Sequence, residues 1–274
     1  MLKRILFFAY GSVSYLIFLA TFLYAFCFIG NFGVSRTLDG AATGPLWISF
    51  AIDAGLLGLF AVQHSLMARA WFKDRWTRIV PKPVERSTYV LFSSLALILL
   101  FWQWRPLGGE VWSVEDPTGR LVLRGLFAFG WGLVLVCTFL INHFDLFGLR
   151  QVWLYLLDRP YVALRFATPG PYRLVRHPLY VGWFFAFWMT PVMTLAHLLF
   201  SVATTVYILL AIQFEERDLV REHGDAYRQY RRSVPMVLPF SKRGATLGSG
   251  TIESESNGAY FSKRDGAVVK KSNA

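Results

Sequence analysis

Five apolar runs set the pattern of this chain: about Ile5 to Ile29, Leu46 to Met67, Tyr89 to Trp104, Leu121 to Ile141, and Leu179 to Phe214. A membrane-spanning helix needs roughly 20 apolar residues, and all but the third run clearly reach that length. The last is too long for one crossing. As a single helix at about 1.5 Å per residue it would measure about 54 Å, against a hydrocarbon core of roughly 30 Å. It must fold back, and Thr190-Pro191 is the natural break, because proline removes a backbone donor and clashes with the preceding turn. The pattern predicts an all-α polytopic transmembrane bundle of six membrane segments, the last two a hairpin. Five is the alternative, if one short segment only dips in.

The 28 lysines and arginines orient that bundle. Two lie at the N-terminus, six in the second loop, five in the fourth and eleven after Phe214, whereas the first and third loops hold one and three and the hairpin turn none. The positive-inside rule then puts both termini in the cytoplasm and favours an even number of segments. Only 16% of residues are charged and 55% are hydrophobic, against roughly 25% charged in a soluble domain. A net charge of +11 could suit nucleic acid, but its distribution is what topology signals and anionic headgroups demand, so the bilayer is the expected partner and nucleic acid is not.

Lys3 and Arg4 precede a long first segment without a clear small-residue cleavage site, which reads as a retained helix. Cys27 and Cys137 fall in separate apolar segments, so no disulfide framework is indicated. After Phe240 the chain turns to Gly, Ser, Lys and Glu, which cannot repay the entropy of ordering. The organisation expected is an N-terminal bundle over 1–168, a hairpin with its cytoplasmic end over 169–240, and a disordered tail over 241–274. Nothing in the pattern selects an oligomeric state.

Polar residues are costly inside bilayers and are usually functional or mutually satisfied. Here they gather at the basic ends of the segments. The second ends in Gln63-His64-Ser65 and Arg69, and the fourth in Asn142-His143-Phe144-Asp145, followed by Gly148, Arg150 and Gln151. The fifth begins with Arg173-Leu174-Val175-Arg176-His177-Pro178-Leu179-Tyr180-Val181-Gly182, and the sixth runs into Glu215-Glu216-Arg217. Pro178 suits a first helical turn, whose free N–H groups can hold an anion beside Arg173 or Arg176. Glu215 or Glu216 can hold a cation; neighbours diverge by about 100° on a helix, so one can face a ligand while the other faces an arginine, with Arg217 the nearest candidate. A ligand with a carboxylate, an ammonium and a second positive centre fits such ends, and S-adenosylmethionine has all three.

Arg-His-Pro-x-Tyr-x-Gly at 176–182, Glu215-Glu216, and Gly224-Asp225-Ala226-Tyr227 with Tyr230 together resemble the membrane methyltransferases that include isoprenylcysteine carboxyl methyltransferases and phospholipid methyltransferases. The resemblance implies S-adenosylmethionine binding by Arg173, His177, Tyr180, Gly182, Glu215, Tyr227 and Tyr230, and the helix-end charges add Arg176 and Glu216 as candidates. The first half narrows it: Val62-Gln63-His64-Ser65-Leu66-Met67-Ala68-Arg69 and Asn142 through Gln151 look like bacterial methanethiol S-methyltransferases, which make dimethyl sulfide. That likeness implies a small thiol substrate and a place in the inner (cytoplasmic) membrane.

A thiol is largely protonated at neutral pH and reacts as its thiolate, so such a site needs a proton acceptor or a positive field. His64 is the first candidate base. His143 with Asp145 is the second, the carboxylate fixing the imidazole tautomer; since positions two apart on a helix do not face each other, that pair requires the helix to end near His143. Gln63, Ser65, Asn142 and Gln151 are the candidate pocket residues. Two other readings stay open: a prenylated cysteine or phospholipid as methyl acceptor, and a non-enzymatic haem or metal protein using His64 and His143. No third ligand with recognisable spacing supports a metal.

Overall fold

Each long apolar run becomes a helix: α1 (Leu2–Gly30), α2 (Leu46–Ala68), α4 (Lys82–Gln103), α5 (Pro117–Leu140) and α9 (Leu195–His223). The computed structural model describes residues 1–42 and 44–239, which belong to one packed unit; the tail expected over 241–274 lies outside the described residues. All five helices are long and apolar enough to cross a membrane, and large side chains such as Leu16, Leu23, Phe50, Leu59, Phe129 and Leu210 stand exposed around them. Apolar surface on that scale needs lipid. The chain is a multi-pass membrane protein.

The helix α4 starts well before its apolar run, because its first polar turns find partners: Arg86 Nε donates to the Leu146 carbonyl at 2.7 Å and Ser87 Oγ to that of Gly148 at 3.3 Å. At the head of α5 the Asp116 carboxylate accepts from the Gly119 N–H at 2.6 Å, filling one of the orphan donors of the first turn. Four short helices complete the set: α3 (Ala70–Trp76), α6 (His143–Leu146), α7 (Leu149–Leu156) and α10 (Asp225–Ser233).

The expected hairpin is present, with an unequal first arm. Its helix α8 (Pro178–Trp188) has 11 residues, or about 16 Å, too short to cross alone. Past Met189 the chain is extended, and β2 (Val192–Thr194) pairs antiparallel with β1 (Glu110–Ser113), with Trp112 opposite Met193. Because β1 lies between α4 and α5, the short helix and its extended continuation carry the chain from one end of the bundle to the other. The helix α9 returns, so the bundle holds the short α8 beside five helices long enough to cross a membrane among the described residues.

Close packing of α5 on α8 depends on two glycines. A Cβ on Gly182 would lie 2.8 Å from the Gly130 carbonyl oxygen, and one on Gly130 would lie 2.7 Å from that of Gly182. Small residues let backbones approach where lipid offers no hydrophobic drive. Phe28, Leu100, Phe101, Trp104, Trp131 and Phe200 belong to the buried core beside this seam. At the strand end, Asp39 accepts from Asn31 and Thr194 and lies 3.0 Å from His197 Nδ1, while buried Asp53 accepts from the Arg105 N–H at 3.0 Å. The opposite end carries α3, α6, α7 and α10, tied by Arg69–Asp218 at 3.2 Å and Arg150–Asp145 at 2.8 Å.

Candidate active site

The hairpin brings the Arg-His-Pro segment against the adjacent glutamates, and the two glutamates do different things. Glu216 Oε1 accepts from Arg176 Nε at 2.7 Å and lies 3.1 Å from His177 Nε2, all three side chains being buried. Arg176 also donates to the carbonyls of Val234 at 2.6 Å and Arg231 at 3.0 Å. The N–H groups of Arg176 and His177 go to Pro235 and Met236 oxygens, so the chain after α10 covers the approach to α8. Glu216 therefore clamps structure, and the arginine it faces is Arg176; the expected candidate Arg217 rests over the Phe214 ring instead.

Glu215, turned about 100° away on the helix, keeps 44% of its side chain exposed. It accepts one hydrogen bond, from Tyr180 Oη at 2.9 Å, with His177 Nδ1 at 3.9 Å. Arg173, in the single 3-10 turn Gly170–Arg173, is exposed and has no hydrogen bond or ion pair among the described residues. One anionic and one cationic side chain at the hairpin are thus left with capacity to spare. Tyr230 Oη donates to the Tyr172 carbonyl at 2.5 Å, and Tyr227 is buried with no partner for its hydroxyl among the described residues. Burial pushes the Tyr230 phenol up to about 12 and those of Tyr172 and Tyr227 up as well, so these are neutral hydrogen-bonding groups. Gly182 lies in the α5–α8 seam.

A second polar group is built from α2, α4 and α9. Tyr89 Oη lies 2.8 Å from His64 Nε2 and 3.1 Å from Nδ1, Ser93 Oγ lies 3.2 Å from Nδ1, and Phe60 stacks on the imidazole at 5.2 Å. Ser65 Oγ meets Tyr207 Oη at 3.1 Å, and Gln63 Nε2 donates to Met67 Sδ at 3.1 Å. Tyr89, Ser93 and Tyr207 were not among the residues anticipated. Their signal was a polar atom inside an apolar run near its basic end.

The fourth-segment group does not join this one. His143 is buried, with Nε2 2.9 Å from Tyr15 Oη and Nδ1 2.9 Å from Thr138 Oγ1, and its ring stacks on Phe139 at 4.4 Å. Burial lowers its pKa. The expected His143–Asp145 pair is not made: Asp145 accepts from Arg150 at 2.8 Å and Tyr161 at 3.3 Å, and Gln151 Nε2 donates to its backbone carbonyl at 3.0 Å. The reason lies one residue earlier. Asn142 has φ of 80° and caps α6 through the Asp145 N–H, so a new helical turn starts at His143, and residues two apart on it do not face each other. Asn142 and Arg150 instead line a mostly apolar groove of about 580 Å³ between α1 and α7, together with Tyr15 and Trp153. Among the described residues no three His, Cys, Asp or Glu side chains gather as a metal site.

The chain is 57% identical to a methanethiol S-methyltransferase of Crocosphaera subtropica over 239 residues, 87% of this chain and 94% of that protein. It is 52% identical to a methanethiol S-methyltransferase of Mycobacterium tuberculosis over 242 residues, 88% of this chain and 99% of that protein. A more distant likeness, 26% over 261 residues, links 82% of it to 88% of the nurim of Xenopus laevis. No family model and no solved structure matches it.

Proposed function

This chain belongs to the methanethiol S-methyltransferase family, and we propose that it methylates methanethiol to dimethyl sulfide with S-adenosylmethionine as donor. The observation that carries the reading is the adjacency of two polar groups. The helix α9 carries Glu215, which accepts from Tyr180, and two turns earlier Tyr207, which meets Ser65 next to His64, so a place for a cationic donor and a place for a proton share one helix.

S-adenosylmethionine, when bound, supplies an electrophilic methyl group on a sulfonium. The residues at the hairpin suit its other charges. Glu215 has free carboxylate capacity for the ammonium, Tyr180 holds that carboxylate in place, and Arg173 is available for the donor's carboxylate. Charge-assisted contacts of this kind are the stronger hydrogen bonds. Arg176, His177 and Glu216 keep the helix ends together so that Glu215 and Tyr180 stay aligned; Tyr227 and Tyr230 pack the far side through Phe166. His64 is the final acceptor of the thiol proton, with Ser65 and Gln63 beside it. On this reading 169–240 holds the donor, the bundle before it holds the thiol, and both termini face the cytoplasm across the inner membrane, as the basic loops favour.

The test is direct. Protein purified into lipid nanodiscs is incubated with S-adenosylmethionine and methanethiol, and the headspace is sampled for dimethyl sulfide. Its appearance, dependent on both reactants, supports the proposal; methylation of phospholipid with none of a thiol would move the function to a lipid acceptor.

A further inference from the structure

The groove of about 580 Å³ between α1 and α7 takes no part in the methyl transfer proposed above, and the hydrogen-bonding capacity left along it is of one kind. Leu16, Phe144 and Trp153 give it an exposed apolar wall. Ser12, Asn142 and Arg150 interrupt that wall, and each keeps a donor without an acceptor among the described residues. On α1, Ser14 and Thr21 return their hydroxyl protons to the Tyr10 and Ile17 carbonyls at 2.8 and 2.7 Å, whereas Ser12 makes no such bond. Asn142 accepts the Asp145 N–H on Oδ1 at 3.1 Å, which leaves its amide protons. Arg150 directs Nη1 to Asp145 and Val162 and one Nη2 proton to Val162, which leaves Nε–H and the second Nη2 proton. Donors along an apolar wall call for a ligand with an apolar body and acceptor oxygens.

Depth and charge narrow the ligand further. Tyr10 Oη donates to Thr88 Oγ1 at 3.0 Å and Ser87 Oγ to the Gly148 carbonyl at 3.3 Å. Both walls are thus tied to α4 at the turn just before its apolar run begins at Tyr89. That is the level at which headgroups meet hydrocarbon, and where a tryptophan such as Trp153 sits well. At the outer ends of the same two helices Arg4 pairs with Asp158, as Arg150 does with Asp145. Lys3 and Arg159, next to the first of these pairs in the chain, are exposed and have no acidic partner among the described residues. The rim therefore carries positive charge in excess. From these observations we infer that the groove is a binding site for an anionic phospholipid of the leaflet that the basic loops face. One acyl chain lies along Leu16, Phe144 and Trp153, the ester and phosphate oxygens accept from Ser12, Asn142 and Arg150, and the headgroup charge lies toward Lys3 and Arg159. The inference does not depend on the methyl-transfer reading.

The experiment titrates full-length protein in detergent micelles with phosphatidylglycerol or with phosphatidylcholine of the same acyl chains, and counts bound lipid by native mass spectrometry. Wild type should retain one phosphatidylglycerol molecule in preference to phosphatidylcholine. Lys3→Ser combined with Arg159→Ser changes two exposed side chains and should weaken phosphatidylglycerol retention roughly 30-fold, or about fivefold per charge, while phosphatidylcholine retention stays the same. Ser12→Phe puts a ring into the groove and should remove that lipid molecule whatever its headgroup. Equal retention of the two lipids by wild type overturns the inference, as does phosphatidylglycerol retention unaltered in the charge variant or in a folded Ser12→Phe protein. A wild-type dimer that Ser12→Phe abolishes also overturns it, because a second copy of the chain then fills the groove. The charge variant decides the question if Ser12→Phe does not fold.

Discussion

Neutralising the two adjacent glutamates one at a time separates donor binding from architecture. In Glu216→Gln the buried Arg176 guanidinium loses the negative charge 2.7 Å away and keeps neutral acceptors alone, the new amide oxygen and the Val234 and Arg231 carbonyls. Breaking a buried ion pair from one side costs about 3–5 kcal/mol, a large part of a folding stability of about 5–15 kcal/mol. Glu215 has 44% of its side chain exposed and one hydrogen bond, from Tyr180, which glutamine can still accept. Glu215→Gln should therefore shift stability by no more than about 0.5 kcal/mol. Its loss appears in ligand affinity, where a hydrogen bond to a charged group contributes about 1.5–3 kcal/mol, or roughly 10- to 150-fold. Calorimetric titration with S-adenosylmethionine and thermal unfolding in nanodiscs read the two quantities separately. A Glu215→Gln protein that binds like wild type, or a Glu216→Gln protein that melts like wild type, would refute this division.

Three further outcomes follow from named contacts. His64→Ala should lose about 10²- to 10⁴-fold in turnover at neutral pH while keeping S-adenosylmethionine affinity, and should regain rate as pH rises; steady-state rates across pH check this. Gly182→Ala should cost about 1–3 kcal/mol of stability in unfolding experiments, because its Cβ would meet the Gly130 carbonyl oxygen at 2.8 Å, with ligand affinity of the folded fraction preserved. His143→Ala should destabilise by about 1–3 kcal/mol by leaving Tyr15 and Thr138 without their imidazole partner. Burial lowers the pKa of His143 in the folded chain, so the unfolded chain binds its proton more readily. Wild-type stability should then fall as pH drops below about 6.5, and the pH dependence of melting should be smaller in His143→Ala.

The long segments were legible because an apolar run of spanning length has few alternatives, and Thr190-Pro191 marked the turn-back through the missing proline donor. The manner of that turn was not legible. The strand β2 spans three residues and pairs with β1 some 80 positions earlier, a contact no local periodicity announces. Among the chemical groups, helical spacing alone made it possible for Glu215 and Glu216 to face apart, but which arginine met which glutamate depended on the return of residues 234–236 over α8. The His143–Asp145 pairing failed because Asn142 starts a new helical turn at His143, which sets the two side chains apart as a continuous helix would. Tyr89 and Ser93 were hidden for a different reason: in a hydropathy profile tyrosine and serine within an apolar run pass as packing, and only the side-chain geometry shows both aimed at His64.

The most direct measurement follows the methyl group itself. Wild-type protein in nanodiscs is given S-adenosylmethionine deuterated at the methyl carbon together with unlabelled methanethiol, and both headspace gas and extracted lipid are analysed by mass spectrometry. The account predicts dimethyl sulfide carrying one deuterated methyl group and none in the lipid. Label recovered only in lipid, or no transfer with the donor bound, would contradict it.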